Sequence, residues 1–158
     1  MAASCPPRRK RGGVADTGVR IFLDANILFS AAKSPGSIQR LLALLLDARH
    51  ECWVDDYVLT EARRNLELKA PRGLAVLERL LKRLRVAPMR PRGTELDASQ
   101  LLPEKDRPIL AAAIHLACDA LVTGDRTHFG ALYGRSIRGV TIHSPRSLAE
   151  ELWGPAGR

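Results

Sequence analysis

The stretch Arg20-Ile21-Phe22-Leu23-Asp24-Ala25-Asn26-Ile27-Leu28 constrains the fold of this chain more than any other. It opens as an unbroken apolar run bounded by turn signals, the pattern of a strand buried on both faces of a parallel sheet. Asp24 interrupts the run. A carboxylate where such a strand stops stands at the carboxyl edge of the sheet, and open α/β folds gather their chemistry at that edge. Taken alone, Asp24 reads equally well as the cap of a following turn or helix. A second run, Ala120-Leu121-Val122-Thr123-Gly124-Asp125, closes in the same way. If the two strands are neighbours, as the first and fourth strands of doubly wound folds often are, their carboxylates repel. Relief comes from a proton on one of them or from a divalent cation between them, and several converging acids favour the cation.

The chain of 158 residues is long enough for one ordinary domain with its own core. It carries 25 Lys and Arg against 17 Asp and Glu, a net charge of +8, which favours a polyanionic partner over a merely basic surface once acids gather in a cleft. Aromatic residues make up 4% of the chain, so no stacking platform for single strands is advertised. Cys5, Cys52 and Cys118 are odd in number and far apart, which suggests neither a disulfide framework nor a zinc site. No apolar run approaches the length of a membrane span, so a cytoplasmic protein is expected, with no membrane partner.

Along the chain, residues 1–18 contain Pro6-Pro7, Arg8-Arg9-Lys10-Arg11 and Gly12-Gly13 and read as a basic, disordered N-terminal arm. The domain proper is expected over 19–153, followed by a short tail over 154–158. A helix is expected to start near Ser34-Pro35-Gly36-Ser37 and to bury Ile38, Leu41, Leu42, Leu45 and Leu46. Glu51 to Val54 reads as a strand, with Asp55 or Asp56 capping the helix after it. Tyr57 to Lys69 forms an amphipathic helix in which Glu61 borders the apolar stripe of Val58, Ala62 and Leu66. Most helical Glu residues are solvated, here by pairing with Arg64 or Asn65; this one starts a turn beyond a strand end and can lean over the edge that holds Asp24.

Leu74, Leu77, Leu80, Leu81 and Leu84 predict another helix, with Arg79, Lys82, Arg83 and Arg85 on its outer face. Val86-Ala87 adds a short strand, and a long loop runs from Pro88 to Lys105. Asp106, followed two residues later by Pro108, suits a helix cap. Ile109, Ala112, Ala113 and Leu116 then form the buried face of a helix feeding the strand that ends at Asp125. An acid in that position can also bind metal. Beyond it lie a short turn or helix over Arg126-Thr127-His128-Phe129, a strand at Val140-Thr141-Ile142, and a helix from Ser144-Pro145 to Leu152. His128 and Arg126 are second-tier candidates, with a local hydrogen bond the plainer role for the histidine.

The ordered series LDANIL with Asp24, a helix with Glu61, EKDRPILAAA with Asp106 and LVTGDRTHF with Asp125 resembles the PIN-domain family of metal-dependent ribonucleases, in particular its VapC-like members. The resemblance spans about residues 19–153. It implies an α/β fold, a three-layer α/β/α sandwich with a mainly parallel sheet of four or five strands. It also implies that Asp24, Glu61, Asp106 and Asp125 are catalytic residues and metal ligands for Mg²⁺ or Mn²⁺, one ion or two, with Asn26 and Thr123 as polar supports. Many relatives carry a further acid shortly after the last motif. This chain has Thr127 and His128 there, so a second ion is less assured.

Divalent metal lowers the pKa of bound water and neutralises charge developing on a phosphodiester, and hard cations favour an all-oxygen site of acids without Cys or His. The function the resemblance implies is metal-dependent hydrolysis of RNA by an endoribonuclease, similar to the toxins of type II toxin–antitoxin pairs. RNA, a cognate antitoxin and a second copy in a homodimer are its expected partners. A non-toxin RNA-processing nuclease and a non-catalytic metal- and RNA-binding module are the alternatives. A phosphoacceptor signalling domain would need a Lys after the last strand and a lone central Asp, and neither is convincingly present.

Overall fold

Strand β1 (Arg20–Leu23) is buried at all four positions, so water reaches neither face of it. A strand in that environment must lie inside a sheet with cover on both sides. The computed structural model describes residues 18–88 and 106–154 and places β1 centrally, paired in parallel with β2 (Glu51–Asp55) and β4 (Ala120–Val122). Strands β3 (Arg85–Ala87), β5 (Ser136–Ile137) and β6 (Val140–His143) complete a six-stranded sheet in the order β3-β2-β1-β4-β6-β5. Among the described residues only the β5–β6 pair is antiparallel. These two strands form a hairpin whose turn residues Arg138 and Gly139 both take positive φ, 51° and 86°, as a tight primed turn requires.

The connections are helical: α1 (Ala25–Lys33), α2 (Ser37–Asp47), α3 (Asp56–Lys69), α4 (Gly73–Leu81), α5 (Arg107–His115), the single turn α6 (Arg126–Phe129), a 3₁₀ turn at Gly130–Leu132 and α7 (Pro145–Trp153). Helix α1 packs against α2, α3 and α4; α5 packs on α3 and β4, and α7 on α2 and β6. Caps mark several starts. Asp55 accepts the Val58 N–H at 2.9 Å ahead of α3, and Ser144 and Ser147 form a capping box ahead of α7.

The expected α/β sandwich with a mainly parallel sheet is present, and β1 and β4 are neighbours as anticipated. The sheet has six strands where four or five were expected, because the two-residue β5 adds a hairpin edge too short to read in sequence. The segment after Asp24 is helical at once, whereas the sequence pattern places the next helix at Ser34–Ser37. Ala25, Ile27, Leu28, Ala31 and Ala32 are buried and Asn26, Phe29, Ser30 and Lys33 lie on the less buried face, a helical period that the apolar strand running straight into it obscures. The helix expected to reach Leu84 stops at Leu81, and Leu84 is buried in the turn beyond it. Apart from Gly18, Pro88 and Gly154, the expected basic arm, the loop up to Lys105 and the C-terminal tail lie outside the described residues. Among the described residues no helix is long and apolar enough to cross a membrane.

Strands on one side of β1 run β2 then β3, and on the other β4 then β6, so the strand order reverses between β1 and β4. A crevice opens at the carboxyl ends of strands flanking such a reversal. Asp24 and Asp125 stand on its two sides.

Candidate metal centre

Asp24 follows β1 directly and is 3% exposed. Its backbone N–H still belongs to the sheet, donating to Val122 O at 3.0 Å, so the side chain is fixed at the rim. Oδ1 accepts the Ala25 N–H at 2.7 Å, and Oδ2 accepts the Thr123 hydroxyl at 2.7 Å and the Asn26 amide at 3.2 Å. Asp24 thus caps α1 and also faces the crevice; the two roles coexist. Burial pushes its carboxyl up to about pKa 6, partly offset by the Thr123 and Ala25 hydrogen bonds, and the charges of Glu61 and Asp106 push the same way as burial.

Thr123, fully buried, ties the site together. Its hydroxyl also accepts from the Asp125 N–H at 3.1 Å and the Asn26 amide at 3.3 Å, its N–H donates to His143 O at 3.0 Å, and its carbonyl accepts the Tyr133 hydroxyl at 2.8 Å. Asn26 reaches across from α1, its Oδ1 accepting the Gly124 N–H at 2.8 Å. A Cβ at Gly124 would meet the Asn26 oxygen at 3.4 Å, close to an ordinary contact, and its φ is not positive, so neither crowding nor backbone angle singles out glycine there.

Asp125 caps α6 by accepting the His128 N–H at Oδ1, 3.1 Å away. The same turn folds the His128 ring back so that Nδ1 lies 2.8 Å from Asp125 Oδ2. From the other side Asp106 Oδ2 also lies 2.8 Å from that nitrogen. Asp106 occupies the cap position of α5, as its sequence context suggested, yet its side chain makes no capping hydrogen bond there. It is 5% exposed and turns into the crevice instead. Glu61, partly exposed on α3, opposes the ionisation of Asp24 and of Tyr57, one helical turn before it, so its charge lies beside the site.

The four acids singled out from sequence therefore gather at one edge: Glu61 and Asp106 act on Asp24, and Asp106 and Asp125 share His128. Arg126 is exposed at the rim and bears on Tyr133. Two neighbours escaped the sequence reading. Tyr57 and Tyr133, the only tyrosines in the chain, both border the cluster; burial first, with the carboxylates adding to it, raises both hydroxyl pKa values, and at Tyr133 the Arg126 charge opposes the rise. Tyr57 was findable, because Tyr57 and Glu61 are four residues apart and share a helix face. Tyr133 had no sequence signal.

The profile of the PIN domain matches residues 20–127. The chain belongs to the PIN-domain family. Among solved structures this PIN domain is similar to DNA-bound VapBC from Salmonella typhimurium, at 20% identity over 80% of this chain and 98% of that one, with a TM-score of 0.57. It is also similar to VapBC2 from Rickettsia felis bound to a promoter DNA fragment, at 17% identity over 79% and 98%, TM-score 0.55. FitAcB from Neisseria gonorrhoeae matches at 19% identity over 79% and 97%, TM-score 0.50. At such identities the likeness establishes the fold. A search of curated proteins found no match.

The donor set of this PIN domain fits a divalent cation. Asp106, Asp125 and His128 each offer a ligating atom, all within 4.8 Å of one another. Asp24 is a carboxylate that burial and its acidic neighbours disfavour as an anion, the electrostatic problem that a cation relieves. The acid-only site expected from sequence is corrected in one respect: His128 stands inside it.

Proposed function

We propose that this PIN domain is a metal-dependent endoribonuclease that hydrolyses RNA phosphodiester bonds and serves as the toxin of a type II toxin–antitoxin pair. One observation carries the proposal: Asp24, Glu61, Asp106 and Asp125, far apart in sequence, meet in the crevice where the strand order reverses. Asp24, Asp106, Asp125 and Glu61 would hold Mg²⁺ or Mn²⁺. The cation would lower the pKa of water and neutralise charge on the phosphate.

The protein's own contribution is placement. Hydrogen bonds from Ala25, Thr123 and Asn26 engage both oxygens of Asp24, so the carboxyl does not rotate away from the crevice. Tyr133 holds the Thr123 carbonyl and thereby the strand end on which Asp125 follows. Burial holds the Asp24 carboxyl at a pKa of about 6, so at neutral pH it would be available as a carboxylate to a cation. A preorganised cluster of this kind contributes without rearranging during the reaction. Arg126, exposed beside it, is positioned to meet a phosphate entering from solvent.

The similarity to VapBC and FitAcB complexes supports a cognate antitoxin as partner, and a homodimer accords with the same reading. Water, and not a 2′-hydroxyl, is the expected nucleophile, leaving 5′-phosphate and 3′-hydroxyl ends. Purified protein incubated with an RNA pool and Mn²⁺ or Mg²⁺ is expected to cleave it, while Asp24→Asn, still folded by circular dichroism, falls to background. Cleavage retained by that folded variant refutes the assignment. Calorimetric metal binding by wild type without cleavage of any RNA favours a binding module instead.

A further inference from the structure

His128 occupies the place where the resemblance called for a further acid, and the structure brings its ring nitrogen among the carboxylates. Three observations define the arrangement. The Asp125 cap of α6 fixes the backbone of His128 and turns its side chain back on the capping carboxylate. Asp106, at the start of a different helix, makes no capping bond and brings Oδ2 to the same nitrogen. Nδ1 is shielded from solvent, and neither carboxylate approach is aligned as a hydrogen bond along the ring N–H.

Two carboxylate oxygens and a ring nitrogen are thereby crowded at one place. Ligands held about 2.1 Å from one hexacoordinate ion lie about 3 Å apart when adjacent and about 4.2 Å apart when opposite. The 2.8 Å separation of each carboxylate oxygen from Nδ1 matches the adjacent spacing. A hydrogen-bonded histidine would instead align its N–H with one oxygen.

We infer that His128 is itself a metal ligand through Nδ1, and that its mixed oxygen and nitrogen set makes this centre prefer Mn²⁺ and the later, borderline divalent ions over Mg²⁺. The inference rests on the metal-centre assignment above and deepens it. Mg²⁺ is hard, keeps its waters and takes oxygen donors, whereas imidazole suits the ions from Mn²⁺ towards Zn²⁺, whose affinities for such sites rise along the series. The histidine therefore selects the cofactor. A chain with an acid at this position would hold an all-oxygen site with no such bias.

The test uses metal-free full-length protein, titrated calorimetrically with Mn²⁺ and with Mg²⁺, and pulsed electron paramagnetic resonance of the Mn²⁺ form. Wild type is expected to bind Mn²⁺ at least about tenfold more tightly than Mg²⁺ and to show ¹⁴N hyperfine coupling to the bound ion. His128→Asp, with melting behaviour like wild type, is expected to lose the coupling and to narrow the Mn²⁺ preference by about tenfold. Bound Mn²⁺ without ¹⁴N coupling in wild type, which needs no variant to fold, overturns the ligand role and leaves the metal centre standing. Coupling that persists in His128→Asp overturns it likewise. Wild-type protein that binds neither ion overturns the metal-centre assignment and this inference together.

Discussion

Asp24 serves two needs that pull in opposite directions. Its oxygens are hydrogen-bonded as if the group were a structural cap, but its burial beside Glu61 and Asp106 disfavours the charge it needs to hold a cation. The consequence is a pH-dependent stability with a definite sign. With the folded-state pKa raised to about 6, the metal-free folded protein holds a proton that the unfolded chain releases near pH 4. Below pH 4 both states are protonated and nothing is lost. As pH rises from about 4 towards 6 the folded state loses up to about 3 kcal/mol relative to the unfolded one. Urea denaturation in the presence of a chelator is expected to show that decline in wild type and a smaller one in Asp24→Asn, which keeps the raised carboxyl of Asp55 to bury. Equal slopes in the two proteins would mean that Asp24 does not carry the linkage.

At the scale of elements, α1 is the part that delivers the site and the part least visible beforehand. Starting it immediately after β1 makes Asp24 a cap and sends Asn26 towards Gly124, so one helix start orients side chains on two strands. The helix can lie against α4 only because Gly73 lacks a side chain: a Cβ there would come within 2.8 Å of the Ala32 carbonyl oxygen and of Leu66 Cδ2. A backbone carbonyl does not yield as a side-chain tip does, so Gly73→Ala is expected to cost about 1–3 kcal/mol by overpacking. Gly130→Ala, in right-handed helical backbone with its nearest neighbour 3.8 Å away, is the control and should stay within about 0.5 kcal/mol of wild type in the same urea titration. Similar losses in the two variants would discount the close α1–α4 approach as the cause.

For the molecule as a whole, a net charge of +8 suits a polyanionic partner, while the acids of the crevice suit a cation held at one place. The basic face anticipated over Arg79, Lys82, Arg83 and Arg85 is partly neutralised. Arg83 pairs with Asp47 at 3.0 Å, and Arg85, which belongs to β3, lies 3.7 Å from Glu51 and over the Trp53 ring. The remaining cations there, Arg79 and Lys82, are the ones to test. For cleavage-inactive Asp24→Asn protein, RNA affinity is expected to fall linearly on a log–log plot against salt, with about 0.7 of slope for each phosphate engaged. Adding Arg79→Glu and Lys82→Glu should reduce that slope by about one unit or more; an unchanged slope places the phosphate contacts on another face.

Local order was enough to expose the buried strands at Ile21 and Leu121, the carboxylates that end them, and the amphipathic helix bearing Glu61, because each shows itself within one run of residues and its hydrophobic period. The family likeness then joined Asp106 to that set. Helix α1 begins without a break after β1, so its helical period, with Asn26, Phe29, Ser30 and Lys33 on the less buried face, was masked by the apolar strand it continues, and β5 is too short to have a period. Tertiary folding alone decided which neighbours complete the cluster: Tyr133 reaches Thr123 from beyond a 3₁₀ turn, and His128 meets Asp106 across 22 positions of chain. Contacts of that kind depend on the register of β1 against β4 and on where α5 enters the sheet. Those are properties of packed elements in three dimensions, and no window of sequence contains them.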